Sequence, residues 1–274
     1  MITEDKYEIQ LWSESTEPLM PVLQATYILT MSDSTRVAHL DQRLYNIARR
    51  TYVQTNAGYW NRPTDGVDCS SRDIVHAVRN LCEHAGRTHV GYILVLEDDA
   101  LLLTTSMFDA INQKLYQANI DVYTLGSIGF FLPFGCNHAR IFGNFIGFAQ
   151  AMIYSSETQT QLLRTPIKNI KHIDAHFLAH RPKKYACTRP VIVQYLPRTS
   201  NMTQWSLSYE SGVCERCGVQ IFIFILHSIL RLDRHHCGWY ALYFLNYATI
   251  PTLILCVVTI IIAAINCSTT LLNS

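Results

Sequence analysis

The run Tyr92-Ile93-Leu94-Val95-Leu96 closes on three acids, Glu97-Asp98-Asp99, and that order constrains the fold. Five apolar residues bounded by a glycine and a charge cluster read as a strand buried on both faces, as in an α/β sheet. Carboxylates at the end of such a strand face desolvation and mutual repulsion. A divalent cation relieves both, and oxygen ligands of this kind suit magnesium or manganese. In open α/β sheets ligands bind outside the carboxyl ends of the strands. The pattern therefore predicts a metal–phosphate site at the C-terminal edge of a mostly parallel sheet. A solvated acidic turn after a core strand is the alternative that the tripeptide alone leaves open.

The segments around this strand alternate as an α/β chain does. Residues 1–24 carry little periodicity, contain Pro18 and Pro21, and read as an extended arm. Ala25–Met31 is the first strand, followed by the polar turn Ser32-Asp33-Ser34 and a helix through Arg50 with Val37, Leu40, Leu44 and Ile47 on one face. Asn56–Asp68 reads as a loop. Ser70 and Asp73 then have capping-box spacing, and Ile74, Ala77, Val78, Leu81 and Cys82 repeat at helical period up to Gly86. Beyond the acids the pattern predicts a helix at 106–118, strands at 122–125 and 149–154, a helix to Arg164, a short helix opened by His172-Ile173-Asp174, and a strand at 191–195. The glycine- and phenylalanine-rich stretch 126–147 has no clean period and reads as a long functional loop or an aromatic excursion packed on the sheet.

Composition separates the two ends. With 274 residues and a net charge of +1, the chain offers no basic stripe for nucleic acid, so that partner is excluded. Met1–Glu17 is polar and acidic, which predicts no signal peptide. After Arg234 there is no Lys, Arg, Asp or Glu, and 239–265 is nearly continuous apolar sequence, longer than the roughly 20 residues a bilayer core requires. Tyr240, Tyr243 and Tyr247 crowd its start, where an aromatic belt would lie. This predicts a single-pass C-terminal membrane anchor over 239–265, interrupted by Pro251, with an uncharged tail at 266–274. Arg231 and Arg234 precede the anchor and predict that the 25–212 domain faces the cytosol. Residues 213–238 form a juxtamembrane segment, interfacial or the first limb of a hairpin.

A cytosolic location predicts free thiols for the nine cysteines. Cys214 and Cys217 have the spacing of half a zinc site. His235, His236 and Cys237 are irregular partners for it, and an inert or palmitoylated juxtamembrane cysteine is the competing reading.

Several motifs coincide in order. They are Tyr27-Ile28-Leu29 with Arg36 downstream, the helix bearing Asp73 and His76, the strand ending Glu97-Asp98-Asp99, Gly147-Phe148-Ala149-Gln150-Ala151 with Ile153-Tyr154, and Ile173-Asp174. Together they resemble glycosyltransferase family 25, the lipopolysaccharide/collagen galactosyltransferase type, and within it the membrane-tailed relatives of large DNA viruses. A late element, Gln194, Thr199, Asn201 and Trp205, and the pair Gly238-Trp239 extend the similarity to roughly 25–265. One departure stands out: Gln150 occupies a position where the family often has histidine.

The resemblance implies a GT-A-like, Rossmann-like, mostly parallel sheet with flanking helices, and a metal-dependent, inverting transfer from a nucleotide sugar of the UDP-sugar kind. The acceptor would be a glycan, protein or lipid, and the membrane that of a host cell or virion. It implies Mn2+ or Mg2+ held by Asp99 and Glu97, which share one side of the strand. Asp174 becomes the acceptor-side base, against the simpler reading of a helix cap. Thr30, Arg36, Asp73, His76 and Asp98 become donor-binding residues; a solvated helix face for Arg36 and a cap with a surface imidazole for Asp73 and His76 are the plain alternatives. Two other classes stay open: a metal-dependent phosphoryl-transfer enzyme, and a catalytically silent, glycosyltransferase-like membrane scaffold.

Overall fold

The strand ending in the acids lies in the middle of a nine-stranded sheet. The computed structural model describes residues 7–58, 70–88, 91–134, 136–147, 150–170, 172–195, 224–229, 231, 238–244 and 247. In chain order the strands are β1 (Tyr7–Glu14), β2 (Leu23–Met31), β3 (Arg50–Asn56), β4 (Tyr92–Glu97), β5 (Ala100–Leu102), β6 (Val122–Thr124), β7 (Ile128–Phe134), β8 (His138–Gly147), β9 (Ala151–Tyr154), β10 (Lys184–Cys187) and β11 (Ile192–Gln194). The helices are α1 (Ser70–Thr88), α2 (Phe108–Gln117) and α3 (Ser156–Arg164). The large sheet runs β1-β3-β2-β4-β9-β6-β10-β8-β7, and β5 pairs with β11 in a separate two-stranded ribbon.

The expected mostly parallel, GT-A-like sheet is corrected by these pairings. β2 is parallel to β3 and β4, and β6 to β10. The junctions β1/β3, β4/β9, β6/β9, β8/β10 and β7/β8 are antiparallel, so the sheet is mixed. β9 explains why the sequence misled: all four of its residues are buried, and a strand buried on both faces has the same apolar pattern whichever way it runs. The 126–147 stretch is the β7–β8 hairpin, not an irregular loop.

The N-terminal expectations change as well. The presumed arm contains β1, an edge strand antiparallel to β3. The helix expected through Arg50 is two short 3-10 turns, Arg36–His39 and Gln42–Asn46, after which the chain extends into β3. Leu44 and Ile47 are fully buried, as the helical pattern demanded. The β-branched residues Thr51 and Val53 that follow favour the sheet.

Helices cover both faces. Along β4, Ile93 and Val95 join one core with Val75, Val78 and Leu81 of α1 and Leu162 of α3. Leu94 and Leu96 join the other with Leu44, Ile47, and Ile111 and Leu115 of α2. Burial on both sides thus accounts for the continuous apolar run. The α1–α3 layer has a specific lock. The Arg79 guanidinium donates to the carbonyls of Leu162 and Thr165 at 2.6 Å each and of Leu163 at 2.7 Å, satisfying the open end of α3. Arg79→Met keeps the apolar stem and strands those carbonyls. It should cost about 2–3 kcal/mol, read as a lower urea midpoint at unchanged slope.

The C-terminal anchor is also corrected. Among the described residues no helix is long and apolar enough to cross a membrane. Residues 238–244 are helical, and Trp239 and Tyr243 are buried, 1% and 3% exposed. The Tyr243 and Tyr247 rings meet Phe131 of β7 edge-on at 5.7 and 5.6 Å, and Tyr247 Oη donates to the Cys187 carbonyl at 3.3 Å. Two of the three tyrosines read as a membrane belt, Tyr243 and Tyr247, therefore pack on the sheet, while Tyr240 is exposed, and the cytosol-facing single-pass orientation loses its basis. Residues 248–265, the Cys214–Cys217 pair, and Thr199, Asn201 and Trp205 lie outside the described residues.

Candidate functional site

Chain direction brings the acids together with the ends of the neighbouring strands. Because β2 and β4 are parallel, with Leu29 opposite Glu97, the residues after both strands emerge at the same sheet edge. Thr30 is next in β2, and its hydroxyl donates to Asp98 Oδ2 at 2.8 Å. Ser34, in the turn that follows, donates to the same oxygen at 2.5 Å and accepts the Arg36 N–H at 3.2 Å. That bond sets Arg36 above the acids, Nη1 lying 3.7 Å from Asp98 Oδ1 and 4.0 Å from Asp99 Oδ2. Thr30, Arg36 and Asp98 are thus grouped.

Asp99 is held from the other side. β4 ends in a tight turn into β5, whose antiparallel pairing with β11 sets Gln194 opposite Ala100. Gln194 Nε2 donates to Asp99 Oδ2 at 2.8 Å, and the Tyr195 N–H donates to the Asp99 carbonyl at 2.8 Å. Asp99 Oδ1 is buried and has no hydrogen-bond partner among the described residues. The side chain is 9% exposed. A carboxylate oxygen in that state carries a desolvation cost that no hydrogen bond among the described residues offsets.

Glu97 follows Ile93 and Val95 onto the α1 face of the sheet. Its N–H is held by the Gln150 carbonyl at 3.0 Å. Burial first, then the charges of Asp99, Asp174 and Asp98, push its carboxyl well above the ordinary carboxylate range, with Arg36 opposing. Asp99 is pushed up to about 6, chiefly by burial, against the Gln194 hydrogen bond. Asp174 sits at the second position of the π-helical turn Ile173–Phe177, half-buried and near enough for its charge to act on Glu97. Lys184 of β10 steadies the region after that turn, donating to the Gly143 carbonyl at 2.6 Å and to that of Ala179.

Asp73 and His76 lie one turn apart on α1 and are both buried. Asp73 Oδ1 accepts the Tyr7 hydroxyl at 2.8 Å, which ties it to β1, three strands from β4. Tyr7, in turn, loses acidity through burial and this carboxylate. Gln150 lies under the acid turn. Its Nε2 donates to the carbonyls of Gly126 and Ile192 at 3.2 and 3.4 Å, while its Oε1 is buried without a partner among the described residues.

Among the described residues no group of three or more His, Cys, Asp and Glu side chains is arranged to hold a metal by itself. The acids nonetheless fit a hard cation of another kind. Magnesium is usually held by one or two carboxylates with substrate phosphates completing the shell, rather than by a cage made wholly of protein. The unpartnered Asp99 oxygen, beside a Glu97 that burial and like charge disfavour as an anion, is a donor set suited to that arrangement.

Ser34 and Gln194 hold the acids, and their roles were not read from the sequence. The serine of a polar turn straight after a strand is a local signal for Ser34. The Gln194–Asp99 bond spans 95 residues and has no local signal.

No protein-family model matches the chain, and no curated protein matches it. Among solved structures it is similar to A197 from STIV, at 14% identity over 60% of this chain and 81% of that one, with a TM-score of 0.39. A likeness of that degree carries no argument about activity, and none of these comparisons bears on the family 25 resemblance.

Proposed function

We propose that the chain is a metal-dependent glycosyltransferase that takes a sugar from a nucleotide diphosphate and hands it to a hydroxyl acceptor. The observation that carries this reading is the buried Asp99 oxygen at the carboxyl end of β4, which has no partner among the described residues and follows an Asp98 held by Thr30 and Ser34 and faced by Arg36. An acid that needs a cation, next to hydroxyls and a guanidinium that suit phosphate oxygens, is the chemistry of a diphosphate site. Asp99 and Glu97 would hold Mn2+ or Mg2+, which when bound neutralises the charge that gathers on the departing diphosphate.

The chain's own residues carry the rest. Thr30 and Ser34 fix Asp98, so the β2 and β4 ends move as one unit under the donor. Arg36 binds the phosphates, its planar fork matching two oxygens at once. Asp174, on the Glu97 side, takes the acceptor's hydroxyl proton. The acceptor oxygen then bonds to the anomeric carbon, and the bond to the phosphate oxygen breaks with its electron pair leaving on the diphosphate. Attack opposite the leaving group makes the transfer inverting.

The test is a panel of nucleotide sugars offered to the full chain with and without Mn2+, scored for hydrolysis and transfer. Turnover that requires the metal is the expected result; no sugar donor bound in the presence of Mn2+ would overturn the reading. Within it, Asp174→Asn should lower kcat about 100-fold or more and leave donor affinity within about twofold, because the base acts in the transition state. If Asp174 only caps its turn, the variant loses about 1 kcal/mol of stability and keeps its turnover per folded molecule.

A further inference from the structure

We infer that Arg36 is a placeholder cation. Its guanidinium occupies the space over Asp98 and Asp99 until a divalent ion takes that place, and it then turns to the donor's phosphates. The inference rests on the diphosphate-site reading and adds an exchange of cations to it.

Its stem is fixed and its head is loose. The Arg36 N–H is tied to Ser34 Oγ, which itself donates to Asp98, so the stem starts from a defined point. The guanidinium approaches the acids only at 3.7 and 4.0 Å, beyond hydrogen-bond reach, with the side chain 42% exposed. Better-directed donors already hold Asp98 Oδ2, through Thr30 and Ser34, and Gln194 holds the Asp99 Oδ2 that Arg36 approaches. Arg36 therefore contributes charge without a directed bond, and a neighbouring cation can replace such a contact at little cost. The unpartnered Oδ1 of Asp99 gives the incoming ion a ligand that Arg36 does not use. A 2+ ion and a guanidinium compete for this space, since charges of +2 and +1 about 4 Å apart repel by about 2 kcal/mol even at the dielectric of water.

The exchange predicts effects of opposite sign from one substitution. In calorimetry on the full chain, Arg36→Gln should bind Mn2+ alone about tenfold more tightly, because the competing charge is gone. The same variant should bind UDP in saturating Mn2+ about tenfold more weakly, because the phosphate partner is gone. Arg36→Lys keeps the charge and should leave Mn2+ affinity within about twofold of wild type, while weakening UDP through loss of the planar fork. Circular dichroism should show all three proteins folded, as expected for a side chain this exposed. Unchanged or weaker Mn2+ binding by Arg36→Gln, with wild type binding normally, would overturn the placeholder and leave the diphosphate site standing. Absence of Mn2+ binding by both wild type and Arg36→Gln would remove both ideas together.

Discussion

Asp99→Asn should abolish metal-linked binding of a nucleotide diphosphate while the protein stays folded. The substitution is nearly isosteric and removes the only buried carboxylate oxygen at the site that lacks a partner among the described residues. Outer-shell changes around metals cost about 10–100-fold in affinity, so loss of a direct ligand should exceed about 100-fold. The variant should also be more stable than wild type in chelator at pH 7.5. The Asp99 carboxyl is raised from its ordinary 3.8 to about 6. Between those values the folded chain keeps a proton that the unfolded chain has released. The associated stability is therefore complete below the unfolded value and lost as pH rises through about 6. Urea unfolding in chelator should show wild type gaining stability from pH 7 down to pH 5, and Asp99→Asn following a flatter course. Unchanged metal-linked affinity in a folded Asp99→Asn would sink the assignment.

Gly126→Ala should be the most damaging methyl group that can be added near the site. A Cβ there would fall 1.7 Å from the Ile192 carbonyl oxygen, 2.7 Å from its carbon and 3.0 Å from Gln150 Nε2. The first two are backbone atoms held by β11 and cannot swing aside as a side chain can. The Val191 and Ile192 N–H groups both donate to the Leu125 carbonyl, at 2.8 and 3.2 Å, so displacing β11 breaks those bonds as well. Overpacking a well-filled interior costs about 1–3 kcal/mol, and the backbone clash puts this case at the upper end or beyond. Since β11 carries Gln194, whatever fraction remains folded should also lose the hydrogen bond to Asp99. A urea midpoint equal to that of wild type would mean that β11 does not seat over Gly126.

Much of the local framework could be read from residues alone. The capping spacing at Ser70 and Asp73 and the Ile74–Cys82 period located α1, although Asp73 turns out to be held by Tyr7. The strand at 92–97, α2 near 108–117 and α3 ending at Arg164 followed from the same periodicity. The expected helix through Arg50 is overturned because Val37, Leu40, Leu44 and Ile47 happen to fall at helical spacing, although short 3-10 turns are enough to bury Leu44 and Ile47. The apolar stretch after Arg234 read as a membrane span because hydropathy cannot separate burial in lipid from burial against protein. Phe131 and the Cys187 carbonyl decide the matter for Tyr243 and Tyr247.

By itself, the sequence determined which residues must leave water and which carry charge at the end of a buried strand. Both are short-range properties: side-chain period reports faces, and an acid after an apolar run reports an expensive carboxylate wherever the strand lies. Only the tertiary structure decided strand direction and the partners of those acids. The antiparallel course of β9, the edge position of β1 and the convergence of Thr30, Ser34, Arg36, Glu97, Gln194 and Asp174 all depend on contacts between segments far apart in the chain. Such contacts form when non-local pairings close, and they leave no periodic trace in the residues that make them.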